Sequence, residues 1–225
     1  MDNTMIANGG VSKDAYADAF ELLTGTRAEH RPRTGGSTDA LIMRDLADRH
    51  EVSLPDESGV IFNALERSLL ARKADLAVRG HALSGIREAL DALGQTHRTV
   101  QSVLTGNIRP NAFTKLDTFG LAGPPLEWDI GAFGSDDNVR ANLVRIAQQR
   151  AAEKYEESFH RDNTVLIGDT PNDVRAGLDG GAKVVAVATG SDRADILAAA
   201  GADVVLPDLT DTPAFLTAIK QILEA

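Results

Sequence analysis

The chain contains no cysteine, which excludes disulfides, zinc–thiolate sites and thiol catalysis. No apolar run approaches the ~20 residues that span a bilayer. Basic residues are in the minority. Lys and Arg number 23 against 33 Asp and Glu, for a net charge of −10 over 225 residues. A surface for nucleic acid or anionic lipid needs clustered Lys and Arg, so neither partner is expected. An anionic small molecule is still admissible, because a metal or a few basic groups can reverse the field inside a cleft. There is no internal repeat and no low-complexity tract. The N-terminal stretch from Met1 to Lys13 lacks a signal-peptide pattern, and a cytoplasmic protein is the expectation. The five histidines, His30, His50, His81, His97 and His160, are scattered without ligand spacing and are read as surface or structural residues.

What is present is ordinary globular material, 43% hydrophobic and 25% charged. The length suits one large domain or a core with a smaller cap. Up to Gly80 the pattern is helical only. Tyr16, Phe20 and Leu23 share one face. Ser37 and Thr38 can cap a helix carrying Leu41, Ile42 and Leu46, and a long helical pattern runs from Pro55 to Arg79. After Gly80 strands and helices alternate. Strands are predicted at Thr99–Leu104, Trp128–Phe133, Thr164–Ile167, Lys183–Ala188 and Val204–Leu206. Between them lie helices at 86–94, 113–119, 137–155, 171–178, 194–200 and 213–223. The strands are short and apolar on both faces, as in a parallel sheet covered by helices. The expected fold class is therefore α/β, a doubly wound parallel sheet. Ligands of such folds bind beyond the carboxyl ends of the strands.

Two strand ends carry polar groups. Val165 to Ile167 is followed by Gly168, Asp169, Thr170, Pro171, Asn172 and Asp173. Thr170 as N-cap, Pro171 at the first helical position and Asp173 at the third make a capping box with Asp in place of Glu. That arrangement leaves Asp169 unexplained. Two carboxylates at this spacing also suit Mg²⁺, a hard cation with oxygen ligands. The earlier strand ends in Thr105, Gly106 and Asn107. This hydroxyl and the backbone N–H groups around Gly106 can cradle a phosphoryl group, or can simply cap the helix near Pro110.

Together with Asp2, Asn3 and Thr4 these segments resemble the haloacid dehalogenase superfamily, in its phosphoglycolate-phosphatase-like branch. Gly168, Asp169 and Asp173 match the fourth motif of that family, Thr105 the second, and Asp2, Asn3 and Thr4 the end of the first. Gly181 to Gly190 and Ala200 to Val205 are similar to its closing segments. The resemblance implies an α/β core from residues 1–9 and 81–225, and an inserted helical cap from 10–80. It implies Mg²⁺-dependent hydrolysis of a small phosphorylated metabolite through an aspartyl-phosphate. Asp2 would then be acid/base, Thr105 a phosphate donor and Arg140 the basic residue of the third motif. Thr4, Gly106 and Asn107 would bind substrate, and Asp2, Asp169 and Asp173 would hold the metal, Asp169 contributing more than Asp173. Arg140 could equally be a solvated helix-face residue, with Arg145 and Arg109 as rivals.

One position departs from the family pattern. The attacking aspartate would stand one residue before Met1, on an apolar strand that is missing. The expected explanation is an internal methionine with the true start about ten residues upstream. A truncated piece and a noncatalytic relative are the alternatives. Little turnover is expected of the 225 residues alone. Carbon–halide hydrolysis needs neither Mg²⁺ nor a second aspartate, so Asp2, Asp169 and Asp173 argue for phosphate instead. A binding or regulatory protein on the same scaffold is the remaining alternative.

Overall fold

The computed structural model describes residues 1–224. Its first third is helical, as the periodicity predicts. Helix α1 (Val11–Thr24) buries Tyr16 and Phe20, and α2 (Asp39–Arg49) buries Ile42, Met43 and Leu46. Helix α3 (Ser58–Ala71) buries Ile61, Leu65 and Leu69. Most of these side chains meet in one apolar cluster that also takes in Ile108. Thr38 stands at the N-cap of α2 but makes no capping bond; its hydroxyl lies 3.3 Å from Asn138 Oδ1 instead. The long helix expected over 55–79 is two helices. Arg72 leaves helical geometry at φ −99°, ψ 11°, and α4 (Lys73–Arg79) begins after it. At this break the Arg72 guanidinium turns to Asp18 of α1, with one N–H donating over 2.9 Å.

Strand β1 (Ile6–Ala7) pairs antiparallel with β2 (His81–Ala82), so the helical stretch leaves and returns at adjacent points. After α5 (Ile86–Gly94) come β3 (Leu104–Thr105), α6 (Arg109–Thr118), β4 (Ala132–Phe133) and α7 (Arg140–Tyr155). Then follow β5 (Val165–Gly168), α8 (Pro171–Gly180), β6 (Lys183–Val187), α9 (Ala194–Ala199), β7 (Val204–Leu206) and α10 (Thr212–Glu224). Strand β6 is buried along its whole length, the signature of a strand covered on both faces.

Strands β3 to β7 are parallel, but they form two separate pieces. One is β3–β4 and the other β5–β6–β7. The strand expected over 99–104 is correspondingly short. Only Leu104 and Thr105 enter a ladder, with Gln101 bridging Leu126 alone. A strand with a neighbour on one side has half the hydrogen bonds to hold it extended. The stretch expected to be extended over 128–133 opens instead with a 3-10 turn, Trp128–Ile130. Helix α7 packs against β3, β4 and α8, spanning both pieces, while α5 and α10 pack together. Ile6, Ile86, Val103, Phe133, Val187 and Phe215 share the largest apolar cluster.

Candidate active site

The turn after β5 is built as its sequence dictates. Gly168 has no room for a side chain: a Cβ there would lie 2.4 Å from that of Asp173. Thr170 Oγ1 accepts from the Asp173 N–H at 3.2 Å, and Asp173 Oδ2 accepts from the Thr170 N–H at 3.1 Å, a complete capping box. Asp173 also receives the Arg140 guanidinium. Burial pushes its carboxyl up, but Arg140, the Met1 α-ammonium and the Thr170 donors outweigh burial and hold it below the usual range. Asp169 has less support. Its Oδ1 accepts from the Thr4 hydroxyl at 2.8 Å, while its Oδ2 is buried with no hydrogen-bond partner. Burial pushes its pKa up to about 6, with Asp173 and Asp2 adding to the rise and the Met1 ammonium opposing it.

Residues 2–4 connect this turn to the end of β3. Thr4 reaches Asp169, and Asp2 Oδ2 accepts from Lys115 Nζ at 2.8 Å. Lys115, on α6, is 2% exposed and donates a second bond to Asn107 Oδ1 at 2.7 Å. Burial raises the Asp2 carboxyl, yet Lys115, Asn8 and the terminal ammonium bring it below its ordinary value.

The Thr105–Asn107 loop is gripped by the helical unit. Asp39 Oδ1 accepts from Tyr16 at 2.6 Å and from Asn107 Nδ2 at 3.0 Å. Its Oδ2 accepts from the Ile108 N–H at 2.8 Å. The Asp39 N–H donates to the Gly106 carbonyl at 2.8 Å. Only glycine fits at 106, since a Cβ there would sit 2.2 Å from the Ser37 carbonyl oxygen. Asp39 is fully buried, and burial raises its carboxyl in spite of Lys115 nearby. The Tyr16 hydroxyl is pushed well above its ordinary value by burial and by Asp39.

The structure thus brings Asp2, Thr4 and Asp169 together, with Asn107 joined through Lys115. Thr105 lies at the same loop, where its hydroxyl accepts from the Asn107 N–H at 3.2 Å. Arg140 binds Asp173 and so meets the acidic turn. Its rivals lie elsewhere: Arg109 pairs with Asp129 on the surface, and Arg145 reaches the Asp179 carbonyl. Among the described residues no three acidic or histidine side chains stand together as a metal-holding group; the contact expected of Asp2 is through its backbone carbonyl. The Asp2 carboxylate binds Lys115 and Asn8, and that of Asp173 binds Arg140 and Thr170. Asp169 alone keeps a free buried oxygen, which fits one hard cation.

Sequence reasoning missed Lys115, Asp39 and Tyr16. For Lys115 a signal existed, because it falls on the buried face of α6 with Asn111 and Ala112, where a lysine needs an acidic partner. Asp39 gave no such sign, since an acid in a helix's first turn is ordinary.

Residues 140–212 match the HAD-hydrolase-like family. No curated protein matches the chain. Solved structures match along its whole length. A hydrolase from Pseudomonas syringae is 18% identical, with 96% of this chain and 94% of that one covered and a TM-score of 0.70. CbbY from Rhodobacter sphaeroides, in complex with phosphate, is 16% identical over 94% and 92%, with a TM-score of 0.67. A HAD family hydrolase from Deinococcus radiodurans R1, with bound phosphate and sodium, is 19% identical over 98% and 93%, with a TM-score of 0.55. The chain therefore has the fold of the haloacid-dehalogenase-type hydrolases, and its segment 140–212 carries their family pattern.

Proposed function

We propose that this protein is a phosphohydrolase of the HAD type, acting on a small phosphate monoester with Mg²⁺. The observation that carries the reading is the buried, unpartnered Oδ2 of Asp169 beside Thr4, with Asp2 and Lys115 close by. Two of the similar structures hold phosphate, and such a ligand fits strand ends of this kind. Bound Mg²⁺ would supply charge neutralisation at the phosphoryl oxygens, held by Asp169 and by the backbone carbonyl of Asp2. Asp2 would protonate the leaving oxygen and later take a proton from water. Lys115 would keep Asp2 oriented and balance its charge. The Thr105 hydroxyl and the N–H groups at Gly106 and Asn107 would donate to the phosphoryl group. Arg140 would hold Asp173, and Asp173 in turn would fix the turn that presents Asp169.

In this reading the attacking carboxylate belongs one residue before Met1, and the hydrolysis runs through an aspartyl-phosphate there. The test compares residues 1–225 with the same chain extended upstream of Met1, each assayed with an aryl phosphate and Mg²⁺. The shorter form should turn over more slowly by a factor on the order of 10⁶. Equal turnover by both would place the nucleophile within residues 1–225 and overturn the assignment of Asp2. No turnover by either, with the long form folded, would favour a noncatalytic scaffold.

A further inference from the structure

Between α1 and α2 the chain runs through a long irregular loop, 25–38. A loop of this length has no ladder of its own and is held by what reaches it. From Ala28 to Gly36, three side chains from outside the loop bind its backbone. The Glu29 N–H donates to His50 Nε2 at 2.9 Å, and the His30 N–H points at the same nitrogen from 3.4 Å. The Arg49 guanidinium donates to the Arg31 carbonyl at 3.0 Å. Asn172 Nδ2 donates to the Gly35 carbonyl at 2.8 Å. This last contact sets the far end of the loop on the acidic turn. A Cβ on Gly36 would lie 2.5 Å from that of Asn172 and 3.0 Å from Thr170 Oγ1. Of the three holders, the guanidinium stays charged and the amide stays neutral. Only the imidazole changes charge between about pH 5 and 8.

His50 stands at the C-cap of α2, and its Nδ1 lies 2.7 Å from the Leu46 carbonyl, which can only accept. Its Nε2 faces the Glu29 N–H, which can only donate. One state of the ring satisfies both, neutral with its proton on Nδ1. A second proton would set an N–H of the ring against the N–H of Glu29 and break that bond. The surroundings give the added charge little support. The ring packs on Phe20 of α1 and on His30 of the loop, with centres 4.7 and 4.8 Å away. A second imidazole takes up like charge over the same pH range. On α2, Asp45 is engaged by Arg49 at 3.2 Å and by Arg33 of the loop at 3.7 Å. Among the described residues no carboxylate pairs with the ring, that of Glu29 included. We propose that His50 is a proton-operated latch: neutral, it holds the 28–36 loop against the acidic turn, and protonated, it lets the loop lift. The latch stands on these contacts alone; that its release opens a phosphohydrolase site rests on the proposed function.

The test is NMR of the chain extended upstream of Met1, and it needs no turnover. At pH 7.5 the ring nitrogens of His50 should report a proton on Nδ1. Between pH 7.5 and pH 5.0 the Glu29 amide should lose protection by about fivefold or more, after correction for the intrinsic exchange rate. The side-chain amide of Asn172 should exchange faster in step, while the amides of β6 hold. His50→Gln places an uncharged acceptor where Nε2 stood and should keep the loop down at both pH values. His50→Asn keeps a donor for Leu46 without that acceptor, and should leave the loop loose at both. The wild-type titration decides even where a variant fails to fold. A His50 proton on Nε2 at pH 7.5 would overturn the proposal. So would unchanged protection of Glu29 at pH 5.0, or release of Glu29 with Asn172 unmoved. A pH response in His50→Gln equal to that of the wild type would place the switch elsewhere and overturn it as well.

Discussion

Asp169 holds the conflict at the centre of the site, a carboxylate kept where ionisation is unfavourable. Its pKa is raised to about 6 in the folded chain, mainly by burial. The native state therefore binds this proton more tightly than the unfolded state does. The stabilising contribution is present below the ordinary carboxylate range and is lost as the pH rises through about 6. Asp169→Asn keeps an acceptor for Thr4 and removes the charge. Without divalent cations it should stabilise the fold at pH 7.5 by roughly 1–2 kcal/mol, with no gain near pH 4. Thermal melts at the two pH values check this, and an equal effect at both would show that ionisation is not the cause. Lys115 presents the opposite case, a buried cation joining Asp2 and Asn107. Lys115→Met strands the Asp2 carboxylate and should lower stability by about 3 kcal/mol, with partial recovery in the double variant with Asp2→Asn. Urea denaturation of the single and double variants measures both. At this scale the sequence revealed Asp169, because a carboxylate past a strand end has no structural excuse. It hid Asp39, whose partners Tyr16 and Asn107 come from distant segments that only the tertiary fold brings together.

Among the elements, those set by local chemistry were legible and those set by neighbours were not. The capping box of α8 stands as Thr170, Pro171 and Asp173 specify. Thr170→Ala should remove about 1 kcal/mol of stability, read from the midpoint of a denaturant melt. The break at Arg72 was invisible because it follows a partner on α1, Asp18, and not the local pattern. Strand length was likewise out of reach. Residues 99–103 have the composition of a strand, and only a second neighbour would hold them in a ladder. The loop at Gly106 joins the two scales. Gly106→Ala would drive a Cβ against the Ser37 carbonyl and part the loop from α2. A loss of about 2–3 kcal/mol is expected, with weaker phosphate binding alongside. Unchanged stability would mean that the helical unit moves aside freely.

Over the whole molecule the α/β class and the helical first third were readable, since periodicity is a property of each segment alone. The division of the sheet into β3–β4 and β5–β6–β7 accords with the apolar strand expected before Met1. It has a direct dynamic consequence. Amides of β6, bonded to neighbours on both sides, should exchange slowest, and those of 102, 104, 165 and 167 should exchange within the fastest class of the core. Native-state hydrogen exchange of residues 1–225 tests this, and uniform protection across β5 and β6 would contradict the open edge.

The ammonium at Met1 belongs to residues 1–225 taken alone. There it sits among Asp2, Asp169 and Asp173 and offsets part of their mutual repulsion. In the extended chain of the proposed function an uncharged amide replaces it and the attacking carboxylate stands next to it. The acidic turn then depends more heavily on bound cation, so the extended form should gain stability from magnesium that residues 1–225 alone do not.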